Sequence, residues 1–207
     1  MSDLYRLTLE HLFEVLEEWD AALSRRVLVV ACGGTALTLY GYKDSTKDVD
    51  FLVPVDSQFK TLLSTLQKLR YQRGTGFAYK HPNNPWLFDL YGGQTVFQTS
   101  LLDPIHLPEN HRLIREFKRL RLACLTPPDL IISKMFRGTM TDVDDSLIML
   151  KAEKLDMARF TERFIETAGY YYNPLSCKKN LHYLILEMEA HRLDTSCMRE
   201  MSEKWNP

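Results

Sequence analysis

The segment that most constrains the fold is a short apolar run that ends in two glycines. The run Val27-Leu28-Val29-Val30-Ala31-Cys32 contains three β-branched residues, and Gly33-Gly34 follow it directly. Such a run predicts a buried strand, which the glycines end. Residues 35–40 then have the pattern of a short helix, and residues 49–53 that of a second strand, which Pro54 stops. This order of elements predicts an α/β protein.

The remaining pattern divides the chain near residue 126. The segment Thr126-Pro127-Pro128-Asp129 has proline at a first helical position and an acidic residue next, which indicates a helix start. We therefore predict an α/β core over residues 1–125 and an all-α region over residues 126–207 that packs on it. The further helices are predicted at 4–23, from Asp56 or Ser57 to about 70, and at about 128–138, 142–153, 156–169 and 178–192. The further strands are predicted at 76–80, 86–91 and within 95–102 and 112–124.

Composition and charge exclude several classes of protein. The chain has 207 residues, of which 45% are hydrophobic and 26% charged, and its formal net charge is −1. These values argue against a disordered chain and against a strongly basic nucleic-acid binder. The apolar run at 27–32 is far shorter than the ~20 residues that span a bilayer. No signal peptide is recognisable, and the four cysteines are scattered, so we expect a cytoplasmic protein without a membrane segment.

Two aspartates at the start of the second strand carry the chemical signal. Asp48 and Asp50 are two residues apart, so in a strand they project from the same face. Neighbouring carboxylates repel each other unless a divalent cation lies between them. Because Mg²⁺ accepts carboxylate oxygens together with substrate phosphates, this pair favours phosphoryl or nucleotidyl transfer. The Gly33-Gly34 turn would then place backbone N–H groups against phosphates, and Thr35 could add a hydroxyl donor.

A third carboxylate is predicted at Asp89. It is the lone acidic residue in the apolar strand Trp86-Leu87-Phe88-Asp89-Leu90. A charge there is costly unless it is paired or bound to a metal ion. The alternative is an aspartate on an edge strand that points to water.

These residues resemble the nucleotidyltransferase superfamily of the DNA polymerase β type. The signature is Gly-Gly or Gly-Ser before a helix, then Asp-x-Asp, then a distal aspartate. The strings Gly33-Gly34-Thr35-Ala36-Leu37 and Thr46-Lys47-Asp48-Val49-Asp50 are closer still to the small minimal nucleotidyltransferases and AbiEii-like toxins. The string from Pro128 to Arg137, with Asp142 and Asp145, is similar to a helical segment of the same group.

The resemblance implies a mixed sheet flanked by helices, with a helical C-terminal extension. It also implies that Asp48, Asp50 and Asp89 are catalytic and bind Mg²⁺, with two ions expected. The nucleotide-binding residues that it implies are Gly33, Gly34, Thr35, Thr46, Lys134 and Arg137.

Three other features each allow two interpretations. Lys134 and Arg137 share a helix face and either approach the phosphates or pair with Asp142, Asp144 or Asp145. The cations at 112, 115, 118, 119 and 121 either contact an RNA acceptor or form a solvated face. The run Tyr170-Tyr171-Tyr172 either stacks on a base or packs a helix end.

The first functional hypothesis is an Mg²⁺-dependent nucleotidyltransferase that binds an NTP and releases pyrophosphate. Its acceptor would be an RNA 3′ end such as that of tRNA, a protein hydroxyl or a small molecule, and an antitoxin or a second copy of the chain would be a partner. The second hypothesis is a glycosyltransferase that uses a nucleotide sugar. The third is a non-catalytic nucleotide-binding module of a toxin–antitoxin pair.

Overall fold

The computed structural model describes residues 7–207. The predicted helix over 4–23 therefore lies partly outside the described residues. Within them, the chain forms two compact units. The first continues to Thr95 and includes Asp103–Thr126, and the second comprises Val96–Leu102 and Pro127–Pro207.

The first unit combines three helices with a mixed sheet. Its helices are α1 (Leu9–Ala22), α2 (Gly33–Leu39) and α3 (Asp56–Lys68). The strands of the sheet are β1 (Val27–Ala31), β2 (Asp48–Val53), β3 (Gln72–Arg73), β4 (Ala78–Lys80), β5 (Leu87–Gly92), β8 (His111–Glu116) and β9 (Leu120–Leu125). Across the described residues these strands lie in the order β3-β4-β5-β2-β1-β9-β8.

Strand direction brings the ends of several strands to one edge of this sheet. Strand β1 is antiparallel to β2, so the residues that follow β1 lie at the same edge as Asp48, where β2 begins. Strand β5 is parallel to β2, and its first residue, Leu87, pairs with Asp48. Gly33 and Gly34, which form the first residues of α2, therefore share an edge with the beginnings of β2 and β5.

The core of the first unit is built around Trp19 on α1. Its ring contacts Phe51 of β2 and Phe88 of β5, with ring centroids 6.3 Å and 5.0 Å away. The indole Nε1 donates a hydrogen bond of 3.1 Å to the hydroxyl of Tyr71, which satisfies the polar atom of a fully buried side chain. Every residue of β1 is buried, as the apolar run predicted.

The second unit is mainly helical. Its helices are α4 (Pro127–Arg137), α5 (Met140–Ala152), α6 (Met157–Gly169), α7 (Pro174–Ala190) and α8 (Ser196–Lys204). Thr139 begins α5 with a capping box, because its side chain accepts from the N–H of Asp142 while the Asp142 carboxylate accepts from the N–H of Thr139. Phe164 of α6 contacts Phe136 of α4, with ring centroids 5.6 Å apart. The unit therefore has an aromatic core of its own.

The predicted fold class is confirmed, strands occur within 95–102 as predicted, and other details differ. The short strand β3 and helix α8 had no periodic signal long enough to predict them. Segment 95–102 contains two-residue strands β6 (Thr95–Val96) and β7 (Thr99–Ser100), which pair with each other. Residues 96–102 also group with the helices of the second unit. Helix α7 begins at Pro174, earlier than predicted, because Asn173 caps it and proline is favoured in a first turn.

Between residues 7 and 207, no helix combines the length and the apolar character needed to cross a membrane.

Candidate active site

Gly33 lies against a carboxylate of the second strand. Its φ of +55° is in the left-handed region that glycine adopts readily and other residues do not. A Cβ atom placed on Gly33 would lie only 2.4 Å from Oδ2 of Asp50. Both the backbone conformation and the space therefore require glycine here. The predicted glycine turn and the predicted Asp50 are brought into direct contact.

The register of the sheet places the three predicted carboxylates on one face. Asp50 of β2 is directly paired with Asp89 of β5, and Asp48 precedes Asp50 by two residues. Directly paired residues of neighbouring strands share a face, as do residues two apart in one strand. Asp50 is 8% exposed, Asp89 is half-buried and Asp48 is exposed. The three acidic groups therefore extend from a buried position to the surface on one face of the sheet.

Two buried threonines fix the beginning of β2. The hydroxyl of Thr35 accepts a 2.9 Å hydrogen bond from the N–H of Asp50 and donates to the carbonyl of Asp48 at 3.3 Å. The hydroxyl of Thr46 donates to the same carbonyl at 2.7 Å. Thr35 is completely buried, and Thr46 is 9% exposed. Both hydroxyls are thus engaged with the backbone of the Asp-x-Asp segment, which supports a positioning role; their contact with a phosphate stays a prediction.

Burial and charge repulsion act on Asp89. Desolvation raises the pKa of this carboxyl above its ordinary 3.8, and the negative charge of Asp48 raises it further. Burial and the nearby charge of Asp48 therefore both disfavour the ionised form of Asp89. A bound cation would relieve this repulsion, and a carboxylate with a raised pKa is a better proton acceptor.

We predict that Asp89→Asn increases thermal stability. A carboxyl whose pKa is higher in the folded chain favours folding below its unfolded pKa, near 3.8, and loses that contribution as the pH rises through the folded value. At neutral pH the ionised side chain thus costs stability that the amide does not. The melting temperatures of the wild type and the variant should converge at about pH 3 and separate towards pH 7, with the variant higher. A difference in melting temperature that stays constant at all pH values would contradict the raised pKa of Asp89.

We also predict that Gly33→Ala damages the site more than Gly41→Ala. Both glycines have positive φ, +55° and +78°, so both substitutions carry a backbone cost of about 1–2 kcal/mol. A Cβ atom on Gly41 meets no atom within 4 Å, whereas one on Gly33 collides with Asp50. We expect Gly33→Ala to lose about 1–3 kcal/mol more in urea unfolding and to lose activity. Equal losses in the two variants would show that the contact with Asp50 is unimportant.

The carboxylates suit a metal ion that completes its coordination with substrate. Among residues 7–207, no group of three or more His, Cys, Asp or Glu side chains is arranged to hold a metal ion by itself. Mg²⁺ commonly takes only one or two carboxylates from a protein and fills its other positions with water and substrate phosphates. Asp48 and Asp50 are oxygen donors of this kind, so the residues fit one such ion.

Lys134 and Arg137 lie in the second unit and are paired with acidic residues. Nζ of Lys134 is 2.8 Å from Oδ2 of Asp145 and 3.7 Å from Oδ1 of Asp142, and all three residues are buried. Arg137 donates two hydrogen bonds to Asp142, at 2.8 Å and 2.6 Å. This arrangement matches the alternative in which these cations pair with acidic neighbours. Their contact with a nucleotide stays a prediction, and for Lys134 it would require the buried pair to open.

A second ion pair in the same unit, buried at Asp129 and partly exposed at Arg163, had no sequence signal. Arg163 of α6 donates to both oxygens of Asp129 on α4, at 2.7 Å and 3.0 Å. The two residues are 34 positions apart, so no helical spacing links them. Asp129, predicted only as a helix-start residue, also joins α4 to α6.

The basic segment 112–121 is partly neutralised. Arg115 is 2.9 Å from Glu17, and Arg121 is 3.7 Å from Glu116. The guanidinium group of Arg112 lies over the ring of Tyr40, 5.0 Å from its centroid. These contacts involve exposed or partly exposed side chains, and the RNA contact stays a prediction.

A comparison with protein families decides the assignment. The family described as nucleotidyltransferase of unknown function (DUF6036) matches residues 8–189, which is most of the chain. The chain belongs to this nucleotidyltransferase family. The match includes Gly33, Asp48, Asp50 and Asp89 and confirms the predicted relation to nucleotidyltransferases.

Solved structures give more distant likenesses to this family member. A candidate nucleotidyltransferase from Thermotoga maritima is 12% identical with a TM-score of 0.45, and the match covers 72% of this chain and 98% of that one. A candidate nucleotidyltransferase from H. pylori is 15% identical with a TM-score of 0.39, over 95% and 90% of the two chains. No curated protein matches the sequence. The family match alone supports the assignment.

Proposed function

We propose that this protein transfers a nucleoside monophosphate from an NTP to an acceptor hydroxyl and releases pyrophosphate, in a reaction that depends on Mg²⁺. The observation that carries the proposal is the direct pairing of Asp50 with Asp89 on the face that also bears Asp48, next to Gly33. A nucleotidyltransferase needs acidic oxygen ligands beside a backbone segment that phosphates can approach closely. The family membership is consistent with this chemistry.

Each residue near the sheet edge has a defined role in the proposal. Asp48 and Asp50 hold Mg²⁺, and Thr35 and Thr46 keep their strand in place through the hydrogen bonds described above. Gly33 and Gly34 have no side chains, so the phosphates can approach the backbone there. When bound, Mg²⁺ supplies Lewis-acid stabilisation of the charge on the reacting phosphate. A second ion, held with the help of Asp89, remains a prediction of the resemblance.

The reaction balances without a further reactant. The acceptor oxygen attacks the α-phosphorus, a new P–O bond forms, and the bond between the α-phosphorus and the bridging oxygen to the β-phosphate breaks. The acceptor proton passes to the carboxylate of Asp89, a half-buried group whose pKa is raised mainly by burial, and then to water. Pyrophosphate leaves with the electrons of the broken bond.

We propose that the acceptor is an RNA 3′ end or a protein hydroxyl. A small molecule such as an aminoglycoside ranks below these two. An antitoxin-like partner belongs to the same proposal, because the sequence resembles AbiEii-like toxins. The protein should be incubated with each α-³²P-labelled NTP, Mg²⁺ and, in separate arms, a tRNA pool, total protein and aminoglycosides. The proposal predicts label transfer in one arm that Asp48→Asn abolishes. Binding of NTP without transfer to any acceptor would instead favour the non-catalytic module.

A further inference from the structure

A cavity of about 530 Å³ lies in the first unit, on the opposite face of the sheet from the carboxylates. Its lining includes Leu90 of β5 and Tyr79 of β4. Leu90 directly follows Asp89, and successive residues of a strand face opposite sides. Tyr79 is paired with Phe88, whereas Ala78 is paired with Asp89. The cavity is therefore distinct from the candidate active site, although both use β5.

Three of the eleven residues that line the cavity are aromatic. Phe59 of α3, Phe77 and Tyr79 all line the cavity. Phe77 is 57% exposed, although its ring lies 4.9 Å from that of Tyr91. A Cβ atom on Gly92 would lie 2.8 Å from the ring of Phe59, so glycine permits this ring to approach the strand. These rings offer flat apolar surface to a planar ligand.

One cation in the wall lacks an ion pair. Arg73 lines the cavity and is paired across the strands with Tyr79, so both side chains lie on one face. Across residues 7–207, no carboxylate is within ion-pair distance of Arg73, while the other charged lining residue, Asp56, is 2.7 Å from Lys60. An arginine guanidinium group binds phosphate through two parallel hydrogen bonds. The positive charge of Arg73 therefore favours a ligand that has an anionic group next to it.

We propose that this cavity is a second, non-catalytic site for a nucleoside monophosphate. The base would stack on Phe77 and Tyr79, and the phosphate would bind to Arg73. The volume is within the range of about 300–1,000 Å³ typical of small-molecule sites, which are mainly apolar with a few polar groups. Asp56, the first residue of α3, also lines the cavity and would accept a hydrogen bond from a ribose hydroxyl or an exocyclic amine.

The test uses a variant whose candidate active site has lost two carboxylates, so that any binding is measured at the cavity. The full-length Asp48→Asn/Asp50→Asn variant should be titrated by calorimetry with AMP, GMP, CMP and UMP, without Mg²⁺. We expect saturable binding of at least one monophosphate. Arg73→Gln should weaken it about tenfold without changing the weaker binding of the parent nucleoside. Phe77→Ala should weaken nucleoside and nucleotide alike, by about tenfold.

Arg26→Gln is the matched control, because Arg26 is an exposed arginine of the same unit outside the cavity lining. It should leave the affinity unchanged. Arg73 and Phe77 are exposed, so circular dichroism should show folded variants. The proposal is overturned if no monophosphate binds, if Arg73→Gln and Phe77→Ala leave binding unchanged, or if a monophosphate binds the wild type alone. The last result would place the ligand at the carboxylates.

Discussion

Replacement of either Asp48 or Asp50 by asparagine should reduce nucleotide transfer by about 10³-fold while leaving the chain folded. The amide keeps the shape of the side chain but removes the negative charge that would hold Mg²⁺. Asp50 should be the more damaging position, because it is nearly buried and contacts Gly33, whereas Asp48 is exposed to solvent. The measurement is the single-turnover rate of label transfer at saturating Mg²⁺, with circular dichroism as the test of folding.

Asp44→Asn provides the control for this experiment. Asp44 is an exposed residue of the loop before β2, so the same change of charge is made close to the site but outside the carboxylate cluster. We expect it to retain nearly full activity. If Asp44→Asn and Asp50→Asn lose activity equally, the carboxylates contribute only through general electrostatics. If Asp50→Asn stays fully active, this site does not perform the chemistry.

Replacement of Lys134 by methionine should destabilise the protein by about 3–5 kcal/mol. Lys134 is 3% exposed and lies 2.8 Å from Asp145, which is equally buried. Methionine would leave the Asp145 carboxylate in the interior without its nearest counter-charge. Asp145→Asn should also destabilise. The double variant Lys134→Met/Asp145→Leu should recover part of the loss, because both members of the buried pair are removed and Asp142 keeps Arg137 as its partner. Urea unfolding of all three variants measures these differences.

The exposed pair of Lys204 and Glu200 is the matched control. These side chains are separated by 2.6 Å, but both lie mostly in solvent. Lys204→Met should not change the unfolding midpoint measurably. A small effect of Lys134→Met on stability, together with a large rise in the KM for NTP, would contradict a structural role and favour the predicted phosphate contact.

Local sequence patterns predicted the part of the fold that carries the site. The buried strand β1, the glycine turn, α2 and β2 follow one another within 27 residues, and each has its own periodic or turn signal. The sequence placed Asp50 and Asp89 on two different strands, but it did not indicate that these two residues pair directly. Which strand lies beside which depends on packing across the whole unit, and no local signal specifies it.

Roles that depend on distant partners were the hardest to predict. The position of Thr35 after two glycines predicts a hydrogen bond to a phosphate, and that contact remains a prediction. Its hydroxyl also forms hydrogen bonds with the backbone of Asp48 and Asp50, more than ten residues later, which no local pattern indicated. The partner of Asp129 is 34 residues away on another helix. For Lys134, both interpretations were visible in the sequence, and only the burial of Asp145 beside it distinguishes a paired cation from an available one.

The most direct test of the proposed site is a calorimetric titration of the wild type and the Asp48→Asn/Asp50→Asn variant with each of the four NTPs, with and without Mg²⁺. The carboxylate site predicts binding of at least one NTP that depends on Mg²⁺ in the wild type and is lost in the folded variant. Mg²⁺-dependent binding of equal strength in both proteins, or no binding of any NTP to the wild type, would contradict it.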